Sequence, residues 1–278
     1  MNNLIPCPLR VVDFYEDGLD SLHFEFQILD YDSRDTNLEE TSEIQAGQFF
    51  MLSVPGVGEA PFTYVSKPND AGHFYSLVRK VGTLTESLWS LKRDDIVGYR
   101  GPIGNGWPVS SSSQQSSLAM NTLVIAGGCG LAPLAGWLNE QESPPDSVAL
   151  LYGSRDKASQ VLNKELLKFK ESLTVFEVFD NLESGYIHGN PISQLDQVLQ
   201  KWGKQPHRVL ICGPEIMMHA VAKQLNNDGV PGANIWLSLE RRMHCGVGTC
   251  GHCYVANSYI CKNGPVYLWS ELNKLIQR

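Results

Sequence analysis

No stretch of this 278-residue sequence is both long and apolar enough to cross a bilayer. The longest weakly polar run, Leu123 to Leu138, is broken by Gly127, Gly128, Gly130 and Pro133 and falls short of the ~20 residues that a spanning helix needs. The start, Met1-Asn2-Asn3-Leu4-Ile5-Pro6-Cys7, lacks a basic segment followed by an apolar core and a small-residue cleavage site, so residence in the cytoplasm is expected. Positive charge is in short supply: 22 Lys and Arg face 30 Asp and Glu, a net charge of −8. No basic cluster stands ready to neutralise phosphates, which excludes nucleic acid as a partner. With 42% hydrophobic and 19% charged residues, the chain reads as globular rather than as a disordered tail or a small disulfide scaffold. Its length accommodates two domains of about 100–150 residues.

Cysteine is present in an odd number and unevenly placed, at Cys7, Cys129, Cys212, Cys245, Cys250, Cys253 and Cys261. The last four form C-x4-C-x2-C-x7-C. In a reducing compartment such a dense local group reads as metal ligation rather than as disulfides. C-x4-C-x2-C is the plant-type spacing for three thiolates of a 2Fe-2S cluster. Gly246, Gly248 and Gly251 between the ligands let the backbone curl and bring N–H groups towards sulfur. A structural zinc site with four cysteines is the alternative. His244 and His252 flank the ligands either as neighbours that support the ligand shell or as surface groups, and Cys7 has no assigned role.

The first hundred residues are strand-rich. Phe24, Phe26 and Ile28 alternate with His23, Glu25 and Gln27, the period of a half-buried strand. Further strands are expected at Gln48 to Val54, Phe62 to Ser66 and His73 to Arg79, which together suggest a barrel or sandwich. The polar run Asp30 to Glu43 reads as a solvated loop. Ser110 to Ser117 is a low-complexity linker or surface loop. Beyond it, apolar runs at Thr122 to Ala126, Val148 to Tyr152, Thr174 to Phe179, Val209 to Cys212 and Ile235 to Leu239 alternate with helical stretches, one of them carrying Met217, Val221 and Leu225. That alternation predicts a parallel sheet covered on both faces.

The first strand of this second half runs into Gly127-Gly128-Cys129-Gly130-Leu131-Ala132-Pro133. A glycine turn before a helix admits a pyrophosphate to backbone N–H groups; the alternative is a plain tight turn, since Pro133 stands where a third glycine would be. Cys212-Gly213-Pro214 ends another strand, with Cys212 either a small core residue or a wall for a nicotinamide. Tyr152-Gly153-Ser154-Arg155 ends a third, where Arg155 either pairs with a 2′-phosphate or is a surface charge.

Pro61-Phe62-Thr63, Gly82-Thr83-Leu84-Thr85, Gly101-Pro102-Ile103-Gly104-Asn105-Gly106, the glycine turn, Cys212-Gly213-Pro214 and the cysteine group occur in an order that resembles the ferredoxin-NADP reductase superfamily over nearly the whole chain. The C-terminal cysteines make it similar to electron-transfer subunits of multisubunit enzymes: the gamma subunit of cytoplasmic nickel-iron hydrogenases or sulfhydrogenases, and the corresponding subunits of anaerobic sulfite reductase and of dihydroorotate dehydrogenase. Glu240-Arg241-Arg242-Met243 and Gly264-Pro265-Val266 look most like the first two. The resemblance implies a flavin β-barrel (1–109), a linker (110–119), an α/β parallel-sheet NAD(P)-binding domain (120–239) and a small 2Fe-2S segment (240–278). It also implies that Pro61, Phe62, Thr63 and Tyr64 line the isoalloxazine of FAD, and that Leu77, Val78, Arg79, Gly82, Thr83, Leu84 and Thr85 hold its ribityl and pyrophosphate. Gly128, Gly130, Pro133, Arg155, Cys212, Gly213 and Pro214 would serve NAD(P), and Cys245, Cys250, Cys253 and Cys261 the cluster. Many relatives carry Arg where Ala60 stands, and Arg79 is the expected substitute for its charge.

The function implied is a relay between NAD(P)H, FAD, the cluster and a partner, with catalytic and iron-sulfur subunits of a hydrogenase as the leading partners. Tyr267 and Trp269 are either interface or local core. The alternatives are a sulfite reductase subunit, a stand-alone ferredoxin-type reductase, and, from a different class, a zinc-stapled nucleotide-sensing module.

Overall fold

The computed structural model describes residues 4–29, 44–108, 120–141, 145–255 and 257–276. The acidic loop expected at 30–43 and the serine linker at 110–119 lie outside them.

Strand β1 (Cys7–Glu16) leads into β2 (Ser21–Ile28), and β3 (Phe49–Val54) into β4 (Gly58–Thr63), β5 (His73–Arg79), the short helix α1 (Thr83–Leu88) and β6 (Ile96–Ile103). They form an antiparallel sheet of order β4-β3-β6-β1-β2-β5. Its two edges meet: the Val65 N–H donates to the Tyr75 carbonyl at 2.8 Å, and the Ser76 hydroxyl to the Thr63 carbonyl at 2.8 Å. The sheet therefore curls into a barrel around Phe24, Phe26, Phe50 and Phe74, each fully buried. Every such ring contributes about 1.5–3 kcal/mol. Phe24 and Phe26 face inward as their alternation requires. His23 departs from the pattern, since it too is buried.

The second half begins with β7 (Thr122–Gly127), a 3-10 turn (Gly128–Leu131) and α2 (Ala132–Asn139). It continues with β8 (Val148–Ser154), α3 (Asn163–Ser172), β9 (Thr174–Phe179), β10 (Ile187–His188), α4 (Leu195–Trp202), β11 (Arg208–Cys212), α5 (Glu215–Asn227) and β12 (Ile235–Ser238). After a hairpin of β13 (Tyr254–Val255) and β14 (Ser258–Tyr259), α6 (Ile260–Asn263), β15 (Val266–Leu268) and α7 (Trp269–Ile276) close the chain. The sheet order is β10-β9-β8-β7-β11-β12-β15, parallel except for β15, which runs antiparallel to β12. Successive strand residues feed opposite cores. Leu123, Ile125, Leu151 and Ile211 join Val198, Val221 and Leu225 from α4 and α5; Val124, Ala126, Leu150 and Leu210 join Leu134, Leu138, Leu166 and Phe169 from α2 and α3. This is why the strands read as unbroken apolar runs. Met217, Val221 and Leu225 are all buried, as their spacing predicts.

Three contacts clasp the barrel to the parallel sheet and its C-terminal extension. Asp17, in the β1–β2 turn, accepts the N–H groups of Leu162 and Asn163 at 3.0 and 3.1 Å and thereby caps α3. The Trp107 indole donates to the Pro133 carbonyl at 2.7 Å. Asn105 donates to the carbonyls of Asn263 and Val266 and accepts the Val266 N–H, while its own N–H donates to the Gly264 carbonyl. The motifs Gly101 to Gly106 and Gly264 to Val266 thus hold each other. A Cβ at Gly104 (φ +76°) would lie 2.3 Å from the Gly264 carbonyl oxygen.

Candidate functional site

The carboxyl ends of β7, β8, β9, β11 and β12 open into a cleft of about 720 Å³. In the sheet order β8 and β11 lie on opposite sides of β7, which makes the end of β7 the switch point where open α/β sheets bind ligands. The local sequence builds the floor. A Cβ on Gly130 would sit 2.4 Å from the Cys212 carbonyl oxygen, and one on Gly213 (φ +153°) 2.9 Å from the Gly127 nitrogen. Only glycine lets the two strand-to-helix turns approach so closely. At this point the cleft floor is backbone, of the kind that admits a pyrophosphate close to N–H groups.

Of the nucleotide and flavin residues expected from sequence, the cleft brings together Arg79, Gly128, Gly130, Arg155, Gly213 and Pro214. Arg79 crosses from the barrel to stand beside Cys129. Burial pushes the Cys129 thiol up, and the Arg79 guanidinium opposes that shift. Arg79 and Arg155 are the cations lining this cleft, and Ala60 contributes none. Pro133 lies inside α2, its carbonyl taken by Trp107, and does not line the cleft. Cys212 is 1% exposed, and its thiol points towards the Ser238 carbonyl at 3.9 Å. Burial, with Glu240 adding to it, pushes that thiol far up, so it stays protonated at neutral pH.

The barrel residues divide by strand alternation. Tyr64 is buried with its hydroxyl 2.5 Å from that of Tyr99, and Val78 faces the barrel core; their side chains serve packing. Pro61, Phe62 and Thr63 on β4 are half-buried. Leu77 faces away from the barrel and packs with Leu131 and Ala132 at the glycine turn. Gly82 and Thr83 are exposed, and Leu84 is half-buried. Thr85 is used locally: its hydroxyl accepts the N–H groups of Val81 and Gly82 at 2.9 and 3.0 Å and donates to the Gly82 carbonyl at 2.8 Å.

Two further carboxylates line the cleft, Asp180 with no local signal in the sequence and Glu240 known from it only as part of the Glu240-Arg241-Arg242-Met243 run. Asp180 follows the last residue of β9, and Glu240 follows β12 by one residue. Glu240 is exposed towards the cleft, and desolvation of its carboxyl by the cleft walls pushes it up. Both stand just beyond strand carboxyl ends, the one feature that could have marked them.

The cysteine loop lies on the outer face of β3 and β6. Gly246 (φ +70°) is so close that a Cβ would fall 3.2 Å from both Ile103 Cδ1 and Met51 Cγ. Cys253 and Cys261 are buried and Cys250 is exposed. Backbone donors surround the sulfurs: Val247 and Thr249 N–H reach Cys245 Sγ at 3.4 Å each, and Gly248 N–H reaches Cys261 Sγ at 3.1 Å. Burial disfavours the Cys245 thiolate, but the Thr249 side chain and nearby backbone N–H groups outweigh it and hold this thiol well below its ordinary value. At Cys261 burial and the neighbouring Cys253 push the thiol up instead.

Cys253 Sγ and Cys261 Sγ are 3.3 Å apart, yet among the described residues no three cysteine sulfurs lie within 4.8 Å of one another. A lone tetrahedral zinc would draw four sulfurs to about 3.8 Å from each other. Four thiolates divided two to an iron need close pairs rather than a close quartet, and Cys253 with Cys261 forms one such pair. His244 and His252 meet edge to face, with ring centroids 4.0 Å apart and planes at 63°, and both are exposed. Tyr267 and Trp269 belong to the local core.

Elsewhere, Asp17, His23 and Glu165 bring ligand-type atoms within 4.8 Å of one another. The Asp17 carboxylate is already filled by four donors, from Leu162 N, Asn163 N, Asn163 Nδ2 and His23 Nδ1, so this group is a structural clasp.

Known families match the regions that carry both sites. Residues 124–223 match the oxidoreductase NAD-binding domain, and residues 240–273 match the iron-sulfur cluster binding domain of dihydroorotate dehydrogenase B. The sulfhydrogenase 2 gamma subunit of Pyrococcus furiosus is 33% identical over 86% of this chain and 88% of its own. A probable dihydroorotate dehydrogenase B electron transfer subunit of Methanocaldococcus jannaschii is 31% identical over 86% and 85%. Among solved structures, an NADH-dependent reduced ferredoxin-NADP oxidoreductase superposes with a TM-score of 0.72 at 23% identity, covering 97% of this chain and 91% of the other. No helix among the described residues is long and apolar enough to cross a membrane. The chain therefore belongs to the family of NAD-linked iron-sulfur electron-transfer subunits that includes the sulfhydrogenase gamma subunits and the dihydroorotate dehydrogenase B electron-transfer subunits.

Proposed function

We propose that this chain is the electron-transfer subunit of a cytoplasmic hydrogenase of the sulfhydrogenase type, exchanging electrons between NAD(P)H and a catalytic partner. The work divides among a flavin barrel (1–109), a nucleotide domain (120–239) and a cluster segment (240–278). Bound FAD supplies the exchange between two-electron hydride chemistry and the one-electron steps of a 2Fe-2S cluster. The chain's own residues do the positioning. Gly128, Gly130 and Gly213 offer backbone to the dinucleotide at the switch point, and Arg79 offers charge to the flavin phosphates that Ala60 does not meet. Pro61, Phe62 and Thr63 present the β4 wall to the isoalloxazine. Cys245, Cys250, Cys253 and Cys261 hold the cluster.

The observation that carries this reading is the seating of the cysteine loop directly on the barrel at Met51 and Ile103, with the nucleotide cleft opening between the same barrel and the parallel sheet. A subunit that hands electrons onward needs that continuity. Identity of 33–34% to two sulfhydrogenase gamma subunits over 86% of the chain favours a hydrogenase partner. Native purification with metal analysis tests it: the expected result is a complex containing nickel. Sirohaem in the complex, or a nickel-free complex that oxidises dihydroorotate, would reassign the partner. A monomer with full turnover towards a soluble ferredoxin would make the protein a stand-alone reductase.

A further inference from the structure

One charged side chain of the barrel reaches into the cysteine loop. Arg100 stands on β6 opposite Met51 of β3, and its side chain is only 5% exposed. Among the described residues its guanidinium meets Glu59 and the cysteine loop. Nε and Nη2 donate side by side to the two carboxylate oxygens of Glu59, on β4, at 2.8 and 2.5 Å. Nη1 donates to the backbone carbonyl of Cys245 at 3.0 Å, directly before Gly246, the point where the loop touches the barrel. A bidentate pair is a demanding geometry. A buried ion pair is also weak as a mere fastener, because apolar residues of similar volume commonly do as well.

We propose that the Arg100–Glu59 pair tunes the reduction potential of the cluster as well as seating its loop. The inference rests on the assignment of Cys245, Cys250, Cys253 and Cys261 as ligands. A cluster gains one negative charge on reduction. A buried cation at the loop favours the reduced form, and an anion beside it, here Glu59 with a side chain 21% exposed, disfavours it. Arg100 holds the near side, in contact with the ligand residue's own backbone, and Glu59 the far side, so the two charges act in opposite directions. Neither residue touches the reacting atoms: both are positioning residues whose charge is felt through the loop.

Opposite signs are the signature that a purely structural role would not produce. Arg100→Gln leaves Glu59 unbalanced and lowers the midpoint potential of the cluster. Glu59→Gln removes a negative charge from beside Arg100 and raises it. Each change is expected to shift the ratio of reduced to oxidised cluster at a fixed potential by about threefold, or about 28 mV for a one-electron couple. Arg100→Lys keeps the charge but not the fork, so its potential stays near the parent's while iron is retained less well on dilution.

The measurement is a redox titration of the purified holoprotein followed by electron paramagnetic resonance, with iron per chain determined on each sample. Shifts of the same sign in the two Gln variants, or no shift in either at full iron content, overturn the proposal. If Arg100→Gln loses its iron, Glu59→Gln decides alone: a rise supports the tuning and an unchanged potential refutes it. Cys250→Ser separates the underlying assignment from the inference. Undiminished iron in that variant sinks the ligand reading itself, whatever the Gln variants do.

Discussion

Arg155 stands exposed just past β8 on the rim of the nucleotide cleft, with Asp180 lining the same cleft from the end of β9. A guanidinium there meets a 2′-phosphate in the forked geometry it favours, whereas a carboxylate repels one. If Arg155 selects the phosphorylated cofactor, Arg155→Ala raises the KM for NADPH by about tenfold, or ~1.4 kcal/mol, and changes that for NADH by less than twofold. Equal changes for both cofactors would reduce Arg155 to a general surface charge. At this scale the sequence was informative where chemistry is local. Four cysteines at a metal-binding spacing and glycines at a strand-to-helix turn announce themselves. Asp180 does not, because a carboxylate carries no local pattern in a chain with 30 of them, and Glu240 does so only through the run it opens. Only their places at strand ends bring both to the cleft.

The helix α3 illustrates how elements here depend on distant residues. Its N-cap, Leu162, sits in the left-handed region at φ 57° and has no side-chain cap of its own; the cap arrives from Asp17, 145 residues earlier. Burial by itself would push the Asp17 carboxyl up, but the donors from His23 and Asn163 outweigh it and hold it below its ordinary value. The sign follows. The stabilisation is complete above the unfolded carboxyl value of about 3.9 and is lost as pH falls through the lower folded value. Asp17→Ala is expected to cost about 1–2 kcal/mol at neutral pH, with the deficit shrinking in acid as the parent protonates. Urea midpoints across a pH series check this, and a deficit that stays constant into acid would contradict it. Most strands were legible: β5 and β9 fall where alternation and apolar runs place them. Strand β1 was not, because a register shift between Val11 and Asp13 breaks its period of two. Strand β4 begins at Gly58, four residues before the expected Phe62, since an edge strand tolerates the Gly and Pro61 that read as a break.

For the molecule as a whole, the Asn105 grip on Asn263, Gly264 and Val266 joins the barrel to the segment that follows the last cysteine. Asn105→Ala removes three side-chain hydrogen bonds and leaves the Val266 N–H without its acceptor, an expected loss of about 2–3 kcal/mol. A urea titration reads it, and a change below 0.5 kcal/mol (roughly the spread of an ordinary surface substitution) would show the contact to be incidental. The sequence by itself determined the two architectures and the chemistry each carries. Strand period, helix period, glycine turns and cysteine spacing are short-range properties, set by which side chains can share a face or a metal. Tertiary structure decided what those parts face. Closure of the barrel turned Tyr64 and Val78 inward, and the sheet order carried Arg79, Arg155, Asp180 and Glu240 to one cleft. The Arg100–Glu59 pair met the cysteine loop only because strands far apart in sequence became neighbours. Charges and hydrogen bonds act through a few ångströms of space, and their partners across 145 residues are fixed by packing alone.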